Sequence, residues 1–320
     1  MAKSHDETYY SGLSVFEARS NQQAQNALLL EQFLRHFRQQ VSQAIRSDSI
    51  DDTLKGQLGA LIQKPLNWMD IGCGDGVFTE KLLQAIEASG LPLPDYEGYD
   101  IHRPSLDRLQ QRLGGRYPMV KTACIDGFAH IGRSEHSADI ISGIQSLYFV
   151  DDMQAFRDQL HANLKPTGLG FFIHNRAVSD AASKELLGPD AGKYTLQFPV
   201  EVYFPPMGEL GWKRITEGKN IQAIQDDPEL MPTEKEHTLI TKKLIEGIGG
   251  NPTESAAGQA LAKLVKSRIE GDEYGPPGHY ITANKLVMAF HPQAPRILKH
   301  IVEESIRQVA LERAQGAALS

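Results

Sequence analysis

The sequence predicts an α/β protein built on a mostly parallel sheet, and three observations carry that prediction. Apolar strand-like runs alternate with amphipathic helical segments between residues 66 and 175. A glycine-rich turn, D-I-G-C-G-D-G from Asp70 to Gly76, joins the first run to the first of these helices. Acidic residues, Asp100 and Asp126, close the next two runs. Strands and helices that alternate in this way make right-handed crossovers, which set the strands parallel.

Each element has its own signal. Residues 21–46 carry Leu30, Phe33, Leu34, Phe37 and Val41 at helical spacing. Pro65 precedes the first strand, LNWMDIG, and GVFTEKLLQAIEAS follows as a helix with Phe78, Leu82, Leu83 and Ile86 on one face. YEGYD reads as the second strand, and PSLDRLQQRL as a helix with Pro104 in its first turn. PMVKTACID is the third strand and ADIISGIQSLYF the fourth. DDMQAFRDQLHANL is a helix opened by aspartate and closed by KPTG, and GLGFFIHN is the fifth strand. Farther along, LGWKRIT reads as a strand, 238–248 and 255–270 as helices, HYITANKLVMAF as the last strand and 294–316 as a terminal helix. No internal repeat or low-complexity segment is present.

Composition narrows the partners. A chain of 320 residues is long enough for one large core or for a domain with an elaborate cap. The net charge of -7, without a basic block, disfavours a nucleic-acid partner. No run of about 18 apolar residues suggests a membrane span, and MAKSHDETYYSG lacks the apolar centre of a signal peptide. The cytoplasm is the default expectation. The two cysteines, Cys73 and Cys124, have neither metal-ligand nor disulfide-framework spacing; Cys73 reads as a small residue in a tight turn. No metal is expected.

The glycine-rich turn then asks for a ligand. A dinucleotide fingerprint would place its third glycine at position 77, where Val77 stands, and no Gly-Lys phosphate loop occurs. Asp70 ends the strand and Asp75 lies in the turn, where a pyrophosphate would approach the helix N-terminus. Two carboxylates repel a diphosphate and suit a nucleoside with cationic groups. S-adenosyl-L-methionine has a sulfonium and an ammonium, and no phosphate.

The D-x-G-x-G-x-G pattern after a strand resembles motif I of the class I S-adenosylmethionine-dependent methyltransferases. The resemblance implies a Rossmann-like, seven-stranded, mostly parallel sheet with a helical N-terminal cap and an extended C-terminal region. It implies a cofactor site formed by Asp70, Gly72, Gly74, Gly76, Asp100, Asp126, Gly127, Phe128 and Ile144. Asp100 would accept from both ribose hydroxyls, Asp126 from the adenine amino group, and Ile144 would pack on the ligand.

A looser similarity, carried by IQSLYFVDD at 144–152 and YYSGLSVFEARSNQQAQ near the start, is to histamine N-methyltransferase and its small-molecule relatives. It implies an acceptor pocket with Tyr10, Gln23, Gln145, Tyr148, Phe149 and Asn284. The acidic residue that pairs with the acceptor's ammonium in that family falls at Gln23, or at Glu17 if the alignment slips, so histamine itself is not implied. The expected organisation is a cap over 1–64 that contributes to the acceptor pocket, a cofactor core over 65–178 and a C-terminal part over 179–320.

The function expected is methyl transfer to a small molecule, with S-adenosyl-L-homocysteine as product. An amine or imidazole-type nitrogen is the favoured acceptor, and a hydroxyl or carboxylate oxygen the alternative. A protein methyltransferase and a non-catalytic cofactor-binding protein are further alternatives. His174, at the end of the fifth strand, is the best candidate base in the sequence, although a hydrogen-bonded strand-end histidine is the commoner reading of such a residue. The oligomeric state is left open. Calorimetric titration should show binding of S-adenosylmethionine and none of NAD; NAD binding would overturn the charge argument.

Overall fold

The computed structural model describes residues 22–131, 138–147, 150, 152–203 and 279–319. The chain opens with helices α1 (Gln22–Ala44) and α2 (Asp52–Gln63), followed by β1 (Asn67–Ile71), α3 (Val77–Ser89), β2 (Asp95–Asp100) and α4 (Arg103–Leu113). Strand β3 (Lys121–Cys124), α5 (Gly127–Ile131), β4 (Ala138–Ile144), α6 (Met153–Asn163), β5 (Leu164–Asn175) and α7 (Arg176–Leu187) continue the alternation. Strands β6 (Thr195–Tyr203) and β7 (His279–Phe290) and helix α8 (Arg296–Leu319) complete it.

The seven strands form one sheet in the order β3-β2-β1-β4-β5-β7-β6. Strands β1 to β5 pair in parallel, while β7 runs antiparallel to both β5 and β6. The Rossmann-like, seven-stranded, mostly parallel sheet expected from the sequence is the sheet observed.

Several boundaries differ. The third strand covers only Lys121–Cys124. The fourth ends at Ile144, because Gln145 turns the chain with φ 57. KPTG belongs to β5, which starts directly after α6. Helices α2 and α7 and strand β6 were not anticipated. Helix α2 is capped by Asp51, whose carboxylate accepts from Leu54 N at 2.8 Å. The strand expected at LGWKRIT and the helices at 238–248 and 255–270 lie outside the described residues.

Strand alternation divides the core into two layers. On one face Trp68, Ile140, Phe171 and Met288 pack with Leu30 and Phe33 of α1, Leu82 of α3 and Val302 of α8. On the other, Ile71, Ile141, Phe172 and Val287 pack with Phe156 of α6 and Leu186 of α7. The apolar stripe predicted for α1, Leu30 to Val41, is buried as expected. Helix α1 is also joined to α8, where Glu312 accepts from Arg35 Nη2 at 2.8 Å and lies 2.9 Å from His36 Nε2. The Arg313 guanidinium sits over the Phe198 ring at 5.5 Å. These ion pairs are partly exposed and contribute little beside the apolar burial.

The second layer hinges on Phe172, which is fully buried and meets Phe156 edge-on with centroids 5.6 Å apart. Phe172→Ala is expected to destabilise the protein by about 3–5 kcal/mol in urea unfolding. A loss below about 1 kcal/mol would mean that this layer does not support the sheet.

Candidate functional site

The loop between β1 and α3 is shaped by its glycines. Gly72, Gly74 and Gly76 have φ of 71°, 59° and 83°, a region that other residues rarely adopt. At Gly76 a Cβ would also fall 2.8 Å from Leu109 Cγ, so α3 and α4 approach closely there. Gly74 differs, since a Cβ there would meet nothing within 4 Å. Its backbone faces open space at the carboxyl end of the sheet, where ligands of open α/β folds bind. The loop rests on β2, with Gly72 N and Cys73 N donating to Tyr99 O at 2.8 and 3.2 Å.

Asp100 holds the loop from the neighbouring strand. Its Oδ2 accepts from Gly74 N at 3.0 Å and its Oδ1 from His102 N at 2.8 Å. Burial raises its pKa, opposed by those backbone donors and by Arg108. A carboxylate offers about four lone-pair positions, so each oxygen retains capacity for a ligand hydroxyl.

Asp70 departs from the sequence reading. Its side chain is buried beneath the loop, with Oδ1 accepting from Ser142 Oγ at 2.7 Å and Oδ2 from Tyr96 Oη at 2.5 Å. Asp75 is not an isolated charge either: its carboxylate accepts from Val77 N at 3.3 Å and lies 4.0 Å from Arg108 Nε. The loop therefore does not present two free carboxylates to a ligand, contrary to the expectation from sequence. Asp70 is turned into the core by strand alternation, and the acid that contacts the open Gly74 turn is Asp100. Burial raises the Asp70 pKa to about 6, with its two hydroxyl donors pulling it down and Asp100 pushing it up.

The remaining cofactor candidates also sit at strand ends. Asp126 is exposed, and its Oδ1 accepts from Phe128 N and Ala129 N at 3.0 and 3.3 Å, capping α5. Gly127 is required by packing, since a Cβ would fall 2.9 Å from both Ile71 Cγ2 and Tyr99 Cβ. Phe128 is half-buried and packs edge-on against Phe156 at 5.4 Å. Ile144 is buried at the end of β4. Ile101, directly after Asp100, was not singled out; a large apolar residue left 38% exposed beside that acid is the signal that marks it.

On the acceptor side, Tyr10, Glu17, Tyr148 and Phe149 lie outside the described residues. Gln23 and Asn284 are buried and converge through Asn26, one turn along α1 from Gln23. Asn284 Nδ2 donates to Asn26 Oδ1 at 3.0 Å, joining β7 to the N-terminal helix. Gln145, at the end of β4, has a buried Nε2 without a hydrogen-bond partner, as does Asn26 Nδ2. Asn26 was missed, although an amide placed on the apolar stripe that includes Leu30 and Phe33 marks it in the sequence.

The candidate base is corrected as well. His174 is fully buried and shares its face with Phe172, against α7, whereas Asn284 and Phe171 face α1. Burial lowers its pKa to about 3, partly offset by a hydrogen bond with the Gly143 backbone. Such a ring stays neutral and is too weak a base for chemistry near neutral pH.

Among the described residues no group of three or more His, Cys, Asp or Glu could hold a metal, and no helix is long and apolar enough to cross a membrane.

Comparison with known proteins gives the class. Residues 32–202 match a family model described as a methyltransferase domain, which spans more than half of the chain. The chain belongs to that family and contains a class I S-adenosylmethionine-dependent methyltransferase domain. Domains of this class use S-adenosylmethionine, and here the open backbone at Gly74 and the unfilled lone pairs of Asp100 suit a nucleoside.

A malonyl-[acyl-carrier protein] O-methyltransferase of Haemophilus ducreyi is 28% identical over 146 residues, 45% of this chain and 55% of that protein. The chain thus spans about half the length of this curated relative. A candidate methyltransferase from Bacillus halodurans is 13% identical, with TM-score 0.41 over 75% of this chain and 99% of that one. Phosphoethanolamine N-methyltransferase 2 of Haemonchus contortus is 17% identical, with TM-score 0.34 over 72% of this chain and 50% of that one.

Asp70 makes the site's support sensitive to pH. Its folded pKa, about 6, lies above the ordinary 3.8, so the folded state binds the proton more tightly. The associated stability is fully present below the ordinary value and is lost as pH rises through about 6. Asp70→Asn keeps the side chain uncharged. Relative to the native protein, that variant should gain about 2 kcal/mol between pH 4.5 and 7.5 in urea unfolding. A difference independent of pH would place the Asp70 titration elsewhere.

Proposed function

We propose that the enzyme transfers the methyl group of S-adenosyl-L-methionine to an oxygen of a small carboxylic acid, leaving S-adenosyl-L-homocysteine. The observation that carries this reading is the pair of buried, unpartnered amide donors, Asn26 Nδ2 and Gln145 Nε2, at the cap side of the sheet's carboxyl end. Amide donors match oxygen lone pairs. They offer an ammonium nothing to replace its hydration. The Haemophilus ducreyi relative is named as an O-methyltransferase, which supports the same acceptor atom.

The cofactor's sulfonium methyl is already activated, so the protein's task is proximity and alignment. In this reading Asp100 receives the ribose hydroxyls on the lone pairs that Gly74 and His102 leave open. Gly72, Gly74 and Gly76 let the backbone approach the ligand, with Asp70 supporting them from below. Asp126, Gly127, Phe128 and Ile101 flank the adenine, and Ile144 closes the floor. Asn26, Gln145 and Asn284 orient the acceptor, with Gln23 at its wall. A carboxylic acid has a pKa of about 4 and arrives ionised at neutral pH. It needs no base, in keeping with the weak, opposite-facing His174. Residues 1–64 then form the acceptor cap, 65–178 the cofactor core and 179–320 the part that closes the sheet.

A second reading follows from the similarity to histamine N-methyltransferase: a neutral amine or imidazole nitrogen held by the same amides. The Asn26–Asn284 pair favours it, since an amide can present either its oxygen or its nitrogen.

Incubation with methyl-tritiated cofactor and a panel of carboxylic acids and amines separates the two. Label released as methanol by alkali, as from a methyl ester, is the expected result; alkali-stable label alone would favour nitrogen. Asn284→Ala should raise the acceptor's KM about 10-fold and leave cofactor affinity within about 2-fold. The reverse pattern would remove Asn284 from the acceptor side.

A further inference from the structure

Ser146 is 2% exposed, and its Oγ has no hydrogen-bond partner. Its side chain lies against the first glycine of the loop: a Cβ on Gly72 would fall 2.6 Å from Ser146 Cβ, and one on Gly143 would fall 2.8 Å from Ser146 Oγ. The residue therefore fills the notch between the carboxyl ends of β1 and β4. Those strands are neighbours from which the chain order runs outward in opposite directions, the position where open α/β sheets bind ligands.

Among the described residues, the polar groups of the glycine loop itself are already engaged. Gly72 N and Cys73 N donate to Tyr99 O, Gly74 N to Asp100 and Val77 N to Asp75. Asp70 has both carboxylate oxygens bonded to buried hydroxyls. Ser146 Oγ borders Gly72 and makes no hydrogen bond among the described residues.

We propose that the Ser146 hydroxyl binds the zwitterionic amino-acid end of S-adenosylmethionine, accepting from its ammonium and donating to its carboxylate. The inference rests on the cofactor placement proposed above. With the ribose at Asp100 on the β2 side of the loop, the amino-acid end extends toward β4. A hydroxyl both donates and accepts, so one side chain serves both charges. A buried hydroxyl without a partner is unfavourable in the free protein, and ligand groups that satisfy it remove that penalty.

The test is calorimetric titration with two ligands, S-adenosylmethionine and 5′-methylthioadenosine, which keeps the adenosine and the sulfur but lacks the amino-acid end. Ser146→Ala removes the hydroxyl, and Ser146→Cys keeps the packing against Gly72 with a much weaker hydrogen-bonding group. Both variants should bind S-adenosylmethionine about 10-fold more weakly and change methylthioadenosine affinity by less than about 2-fold. Equal weakening of both ligands, recovery of S-adenosylmethionine affinity in Ser146→Cys, or unchanged affinity in Ser146→Ala would each overturn the proposal. Asp100→Ala is the control for the placement beneath it and should weaken both ligands. If it weakens neither, the ribose assignment falls, and the route that brings the amino-acid end to Ser146 falls with it.

Discussion

The carboxyl end of the sheet depends on one buried carboxylate. Asp70 on β1 accepts from Tyr96 on β2 and from Ser142 on β4, and Ser142 in turn accepts from Trp68 Nε1 at 2.7 Å. Thr79 on α3 extends the chain, 3.1 Å from the Tyr96 hydroxyl. Desolvation opposes an ion in this position, which is why its pKa rises to about 6. Two hydroxyl donors offset part of that penalty. Burial pushes the Tyr96 hydroxyl well above its usual range, so it remains a donor. The arrangement ties three adjacent strands together directly beneath the glycine loop, and a slip of one residue in any of them would break it. Asp100 holds the same loop from the other side through Gly74, so the loop is clamped between two carboxylates with different tasks.

The two halves of the proposed site are built over different sequence distances. The cofactor half is local: its turn, its strand-end acid and the cap of α5 arise within residues 70–129. The acceptor half joins the extremes of the chain, since Asn26 and Asn284 stand 258 positions apart. Helix α1 reaches that position because its apolar stripe is buried against Trp68 and Phe171, and α8 packs beside it. Anything that loosens α1 therefore acts on the acceptor half while leaving the loop and its supports in place.

This difference in range explains what was legible in the sequence. Left-handed glycines, strand-end acids and alternating strands write themselves into short segments, and β7 was read with the bounds it has, His279–Phe290. Strand β6 was hidden by Pro199, a residue that argues against a central strand. It is tolerated because β6 is the edge of the sheet. Helix α2 was obscured by Gly56 and Gly59, which weaken the helical pattern that burial of Leu58, Leu61 and Ile62 sustains. The sequence shows acids and a histidine at strand ends but not their burial. Asp70 and His174 stand at strand ends, yet the packing around them turns both side chains into the core.

Buried polar groups without partners are few in native proteins, and their concentration here is informative. Among the described residues, Asn26 Nδ2, Gln145 Nε2 and Ser146 Oγ lack partners. All belong to the same end of the sheet: Gln145 and Ser146 follow β4, and Asn26 is bonded to Asn284, which pairs with Asn175 at the end of β5. Gln145 adds backbone strain, being the residue other than glycine with a left-handed φ in this set. Stability has been given up repeatedly at the place proposed for cofactor and acceptor, while the neighbouring Asp70 network is fully bonded. A site arranged in this way can align a ligand with little reorganisation, because its donors already stand in position. For methyl transfer from an activated sulfonium, alignment is the larger part of what a protein contributes.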